Sequence, residues 1–165
     1  MTAPEPGTVL DADTLAAHCE ALRKRGLRIV WTNGCFDLLH AGHVSSLREA
    51  RSMGDVLIVG VNSDASVRSL KGPHRPINTE QDRARVVAAL RAVDHVVIFN
   101  ESSPVALLRR IKPDIFAKGG DYTLETLNPA EREAVQAYGG TIRFLHLVSG
   151  KSTTGTLAKM KDGVQ

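Results

Sequence analysis

The sequence predicts an α/β protein, a doubly wound, five-stranded parallel sheet with helices on both faces. Three observations carry that expectation. Short apolar runs alternate with helix-like stretches along the chain, at the spacing of βαβ units. The clearest run, Asp55-Val-Leu-Ile-Val-Gly-Val-Asn62, is continuous rather than alternating, as in a strand covered on both sides. Gly, Pro and Asn clusters separate the runs, and there is neither an internal repeat nor a low-complexity segment.

The elements follow in order. Residues 1–10, with Pro4, Pro6 and Gly7, read as a flexible tail, and residues 11–165 as a single domain. Asp11 or Asp13 caps a helix to about Arg25, with Leu15, Cys19 and Leu22 on one face and Gly26 as its stop. Residues 28–32 form the first strand, and Asn33-Gly34 gives a turn signal. A helix from Ala41 is closed by Gly54. After the second strand, residues 63–70 make a short helix, and Lys71-Gly-Pro-His-Arg-Pro76 is a loop. Thr79 starts a helix with Val86, Val87 and Leu90 on its apolar side. Residues 95–99 are the third strand, and residues 104–111 a helix with proline early in it. Residues 114–117 are the fourth strand, running into Lys118-Gly-Gly-Asp121. Asn128-Pro129 opens a helix that ends at Gly139-Gly140. Residues 141–147 are the fifth strand, and Ser152-Thr153-Thr154 caps a terminal helix to about Met160.

Composition limits the function classes. The 165 residues suffice for one domain with a full core. A net charge of +3 from well-mixed ions, with 4% aromatics, does not make the basic stripe and stacking surface of a nucleic-acid binder. Cys19 and Cys35 lack any Cys-x-x-Cys spacing, so neither a disulfide framework nor a zinc site is expected. Without a long apolar run or a leader-like N-terminus, the expectation is a soluble cytoplasmic protein.

Ligands of doubly wound sheets bind beyond the carboxyl ends of the strands. Three polar clusters fall after such ends. In the first, an apolar strand delivers Asn33-Gly-Cys-Phe-Asp-Leu-Leu-His-Ala-Gly-His43 onto a helix start. The unpaired N–H groups and partial positive charge of a helix N-terminus suit a phosphate. His40 and His43, three residues apart, add imidazole donors, and Gly42 leaves the backbone approachable. Zinc is disfavoured because no third ligand clusters with the pair, so no metal ligands are assigned. The second cluster, Lys118-Gly119-Gly120-Asp121-Tyr122, is either a surface turn or a close-approach loop. The third, Gly150 to Thr154, is either an ordinary cap or a second phosphate-suited helix start.

The first cluster resembles the His-x-Gly-His signature of the cytidylyltransferase-like nucleotidyltransferases. Over residues 29–161 the chain is most similar to the adenylyltransferases that make ADP-heptose from D-glycero-β-D-manno-heptose 1-phosphate. The resemblance implies a Rossmann-like strand order with the first and fourth strands adjacent at the switch point. It implies that Thr32, Asn33, Gly34, Phe36, His40, Gly42, His43, Lys118, Gly119, Gly120, Asp121, Ser152, Thr153 and Thr154 surround the nucleotide. His40, His43 and Lys71 would be catalytic, acting on the phosphates, and Asp37 and Arg75 would face the sugar phosphate. Lys71 and Arg75 are also the charges any solvated loop carries, and an aspartate such as Asp37 often caps a turn. Arg83 and Asp94 are explained equally well by ion pairs or caps, and Cys35 and Trp31 by packing.

The implied reaction is attack of a sugar-phosphate oxygen on the α-phosphorus of ATP, with Mg²⁺ on the triphosphate and pyrophosphate leaving. No covalent intermediate is required. The resemblance further implies a homodimer acting after a separate sugar kinase, with no nucleic-acid or membrane partner. The nearest alternative is a CTP-dependent glycerol-3-phosphate cytidylyltransferase, followed by a pantetheine-phosphate or flavin adenylyltransferase. A silent nucleotide-binding module is the alternative outside enzymes.

Overall fold

A computed structural model of the chain describes residues 4–120, 122–146 and 155. Its elements are β1 (Thr8–Val9), α1 (Ala12–Lys24), β2 (Ile29–Gly34), α2 (Ala41–Arg51), β3 (Val56–Asn62), α3 (Asp64–Lys71), α4 (Glu80–Ala88), β4 (His95–Phe99), α5 (Val105–Ile111), β5 (Ile115–Lys118), α6 (Pro129–Ala137) and β6 (Thr141–Phe144). The strands form a parallel sheet in the order β1-β4-β3-β2-β5-β6. It is a Rossmann-like α/β fold.

Alternation along each strand divides the core into two layers. Ile29, Trp31, Ile58, Val97 and Phe116 face α1, α5 and α6, whose Leu15, Leu22, Leu108, Ile111 and Val135 complete one layer. Val30, Leu57, Val59, Val61, Val96 and Ala117 face α2 and α4, whose Leu47, Ala50, Ala84 and Val87 complete the other. Every residue of β3 is buried, as its unbroken apolar run requires. Gly60 in its middle is a packing necessity, because a Cβ there would lie 2.5 Å from the fully buried Trp31 ring.

The chain winds outward from β2 through β3 to β4. It then crosses back under the sheet through α5 to place β5 on the other side of β2. The order therefore reverses between β2 and β5, the first and fourth strands of the sequence reading.

Two expectations change. The sheet has six strands rather than five, because Thr8–Val9, inside the stretch expected to be a loose tail, pairs with His95 and Val96. Gly7 N and Leu10 N extend the ladder to Asp94 O and Val96 O at 2.7 and 2.8 Å. Two residues have no period to read, so only their distant partner reveals them. Asn33 and Gly34 belong to β2 rather than to a turn, since pairing with Gly60 and Val61 overrides their local preference. Leu147 and the helix expected from Ser152 lie outside the described residues.

Beneath the sheet, His18 of α1 meets His95 of β4, Nε2 to Nε2, at 3.1 Å with the rings edge to face. One ring donates and the other accepts. Burial lowers the pKa of both, that of His95 to about 4.

Candidate active site

At the reversal, the carboxyl ends of β2 and β5 open into a cavity of about 1000 Å³. Thr32, Asn33, Gly34, Phe36, Asp37, His40, Gly42, His43, Lys71, Arg75, Lys118, Gly119 and Gly120 all line it. Residues chosen from separate stretches of sequence thus come together in one place. Asp121, Ser152, Thr153 and Thr154 lie outside the described residues.

The chain leaves β2 through Phe36, whose φ of +48° reverses its direction, and enters α2 at His40. His40 has extended backbone, and its carbonyl accepts from His43 N at 3.0 Å. The backbone N–H of His40 donates to His43 Nδ1 at 3.3 Å. That bond assigns the tautomer: Nδ1 of His43 is the acceptor, so its proton sits on Nε2, leaving a neutral imidazole with one N–H donor. The two rings lie 3.9 Å apart, and Phe36 packs at 5.5 Å from His43. Burial first, and then the neighbouring His40, hold His43 down to a pKa of about 4. Buried Nδ1 of His40 has no hydrogen-bond partner among the described residues.

Asp37 is 3% exposed and fully engaged by the loop that follows α3. One oxygen pairs with Arg75 Nε, and the other accepts from Ile77 N at 2.7 Å and Asn78 N at 3.1 Å. Asn78 Nδ2 donates to the Asp37 carbonyl at 2.9 Å. Asp37, the aspartate expected to face the acceptor substrate, lines the cavity and holds this loop against it, with Arg75 aligned by the same contact. Lys71 ends α3 rather than lying in the loop, and its ammonium makes no ion pair among the described residues. Burial pushes the Cys35 thiol up, against the opposing pull of Lys71, Arg83 and Arg75. A poorly ionised thiol is a weak nucleophile.

Arg83 is the buried tie behind this wall. Its guanidinium donates to Asn78 O at 3.0 Å, Cys35 O at 2.5 Å and Asp64 Oδ1 at 2.8 Å. Asp94, the other ambiguous position, accepts from Leu57 N at 2.7 Å and pairs with Arg51 at 2.9 Å. Both act in the scaffold, one behind the cavity and one at the far end of the strands.

Across the cavity, Lys118 ends β5 with its ammonium 2.8 Å from Glu131 Oε2. It lies 4.9 Å from the centroid of the Tyr122 ring, a cation–π distance. The other Glu131 oxygen accepts from Ser103 Oγ at 3.0 Å. Gly120, at φ +109°, makes the turn that follows. Sequence reasoning overlooked Glu131 and Ser103 of this wall, and Asn62, which lines the cavity from the end of β3. Glu131 gave one signal: it sits in the first turn of α6, three residues after the Asn128 cap, a position that reads as ordinary helix capping.

Chemically the cavity offers a helix start, two imidazoles and three cationic side chains around one space, and no free carboxylate base among the described residues. Both buried carboxylates are paired, and no described group of three or more ligating side chains could hold a metal ion. Nor is any described helix long and apolar enough to cross a membrane.

The chain is 53% identical to the bifunctional protein HldE of Mesorhizobium japonicum over 155 residues, which is 94% of this chain and 31% of that protein. It is 53% identical to the bifunctional protein HldE of Pelobacter propionicus over 152 residues, 92% of this chain and again 31% of the relative. The chain thus spans about a third of the length of these relatives. A lipopolysaccharide core biosynthesis protein from Thermoplasma volcanium superposes with a TM-score of 0.62 at 29% identity, covering 76% of this chain and all of that one. Pantoate-beta-alanine ligase from Francisella tularensis shares the fold alone, with a TM-score of 0.54 at 17% identity over 83% of this chain and 66% of that one. The cytidylyltransferase-like family model matches residues 31–150, from the last buried positions of β2 past both walls of the cavity, and the chain belongs to the cytidylyltransferase-like family of nucleotidyltransferases.

Proposed function

We propose that the chain is a sugar-phosphate adenylyltransferase that moves AMP from ATP onto D-glycero-β-D-manno-heptose 1-phosphate, giving ADP-heptose and pyrophosphate. The observation that carries this is the neutral, Nε2-protonated His43 beside His40 at the start of α2, in the same cavity as Lys71, Arg75 and Lys118. The acceptor phosphate is already an anionic nucleophile, so the reaction needs no general base. It needs positioning and donors where charge gathers in the transition state.

In this reading the α2 start and the His40 and His43 imidazoles hold the phosphates of ATP. His43, with Nδ1 held by the His40 backbone N–H, donates to the phosphates from Nε2. Lys71 bridges phosphates from the end of α3. Arg75, held through its Nε by Asp37, presents its remaining N–H groups to the sugar phosphate. Thr32, Asn33, Gly34, Phe36, Gly42, Gly119 and Gly120 shape the nucleotide's path, and the family resemblance alone assigns Asp121, Ser152, Thr153 and Thr154 to the nucleotide. Mg²⁺ enters as part of the MgATP substrate, where it neutralises the triphosphate.

The likeness to a lipopolysaccharide core biosynthesis protein supports a product that serves glycan assembly. We further propose that the protein acts as a cytoplasmic homodimer, downstream of a kinase reaction that supplies the sugar 1-phosphate. Pyrophosphate release, measured with ATP or CTP against heptose 1-phosphate and glycerol 3-phosphate, tests the assignment. Turnover is expected with ATP and the heptose phosphate. Turnover confined to CTP and glycerol 3-phosphate would replace it with the cytidylyltransferase reading, and none with any pair would overturn it.

A further inference from the structure

The Lys118–Glu131–Ser103 chain is unexplained by the reaction as derived. A lysine meant only to attract a triphosphate needs no buried counter-ion, and one opposite it weakens that attraction. Yet Glu131 is 3% exposed and spends both oxygens, one on Lys118 Nζ at 2.8 Å and one on Ser103 Oγ at 3.0 Å. Its charge is supported by its place in the first turn of α6, where the helix end is partially positive. The three residues come from the loop after β4, the end of β5 and the start of α6, and all three line the cavity.

Lysine is a flexible four-carbon stem whose free ammonium samples many positions. Two aromatic rings confine it here, Phe116 at 5.3 Å and Tyr122 at 4.9 Å from Nζ, with the carboxylate at its tip. One of its three donors is taken, and the others are confined to the side away from Glu131. Building on the nucleotide-binding reading above, we infer that Glu131 is a positioning residue, which acts on the nucleotide through Lys118. It holds the ammonium at one point of the β5 wall, so that nucleotide binding does not have to order that side chain. Ser103 fixes the carboxylate in turn. Glu131 itself does not touch the reacting atoms.

The test is a double-mutant cycle in the full chain, read by calorimetric titration of ATP and by the KM and kcat of pyrophosphate release. Glu131→Gln keeps the shape and removes the charge. It is expected to raise Kd and KM for ATP by roughly tenfold or more, the scale of a displaced positioning group, with kcat held within about threefold. In a Lys118→Met background the same substitution is expected to change Kd by less than about twofold, because its only route of action is gone. Ser103→Ala leaves no unpaired charge and is expected to weaken ATP binding in the same direction by a smaller factor. It serves as the probe if Glu131→Gln does not fold.

Equal effects of Glu131→Gln with and without Lys118 would make the residue merely structural and overturn the inference. Tighter ATP binding by Glu131→Gln would also overturn it, showing that the carboxylate only opposes the lysine's charge. A wild-type chain that binds ATP but turns over no sugar phosphate would fail the proposed reaction, while the titration cycle still decides the role of Glu131.

Discussion

Replacing Arg83 by methionine is expected to destabilise the fold by about 3–5 kcal/mol. The side chain is 2% exposed, and its guanidinium serves three acceptors on three segments, Cys35 O, Asn78 O and Asp64 Oδ1. The two carbonyls lose charge-assisted bonds worth about 1.5–3 kcal/mol each. Asp64 contributes little, because its side chain is 25% exposed and rehydrates once abandoned. Methionine recovers part of the packing of the arginine stem. In a domain of this size the loss corresponds to a fall in Tm of roughly 10 °C, read from urea and thermal unfolding followed by circular dichroism. Arg83→Lys retains the charge but reaches only one direction, so it is expected to lose most of the same stability. Asp64→Asn is expected to cost less than about 1 kcal/mol. A folded Arg83→Met within about 1 kcal/mol of wild type, at an unchanged urea m-value, would refute the reasoning, since it would mean that the two carbonyl acceptors can lose their charged donor without penalty.

Three further outcomes are expected. His43→Ala should keep its circular dichroism spectrum and lose roughly a hundredfold or more in kcat, as for removal of one transition-state donor; near-normal turnover from the folded variant would contradict the assigned role. The folded pKa of about 4 at His43 and His95 lies below the ordinary 6.5, so between those values the unfolded chain binds more protons. Their contribution to stability should be complete above pH 6.5 and fall as pH drops towards 4, and denaturant titrations across that window should flatten for His95→Gln. Gly60→Ala puts a Cβ 2.5 Å from the Trp31 ring and 3.1 Å from Phe99, and should destabilise by about 1–3 kcal/mol in thermal unfolding through overpacking.

Much of this protein was legible in one dimension. The continuous run of β3, the caps at Asp11, Thr79 and Asn128, and the proline opening α6 are local signals, and each element formed close to where they stood. The histidine pair was readable for the same reason, since both rings and the glycine between them belong to one helix turn. The crossing point and the cavity followed once strand order was inferred by resemblance, because a reversed order leaves one crevice.

What the sequence could not hold is anything that depends on who stands opposite. Thr8–Val9 became a strand only because β4 offers a free edge to it. Asp37 and Arg75, separately plausible as ligands of a substrate, proved to be partners of each other. Resemblance assigns Lys118 to the nucleotide, and only the fold shows Glu131, on α6, within 2.8 Å of its ammonium. Charge, hydroxyl and amide are the same groups whether they face water, substrate or one another. Periodicity and capping act within a few residues of chain and so leave a mark in sequence, whereas a side chain's partner is chosen across the packed core, where only the tertiary structure brings the two together.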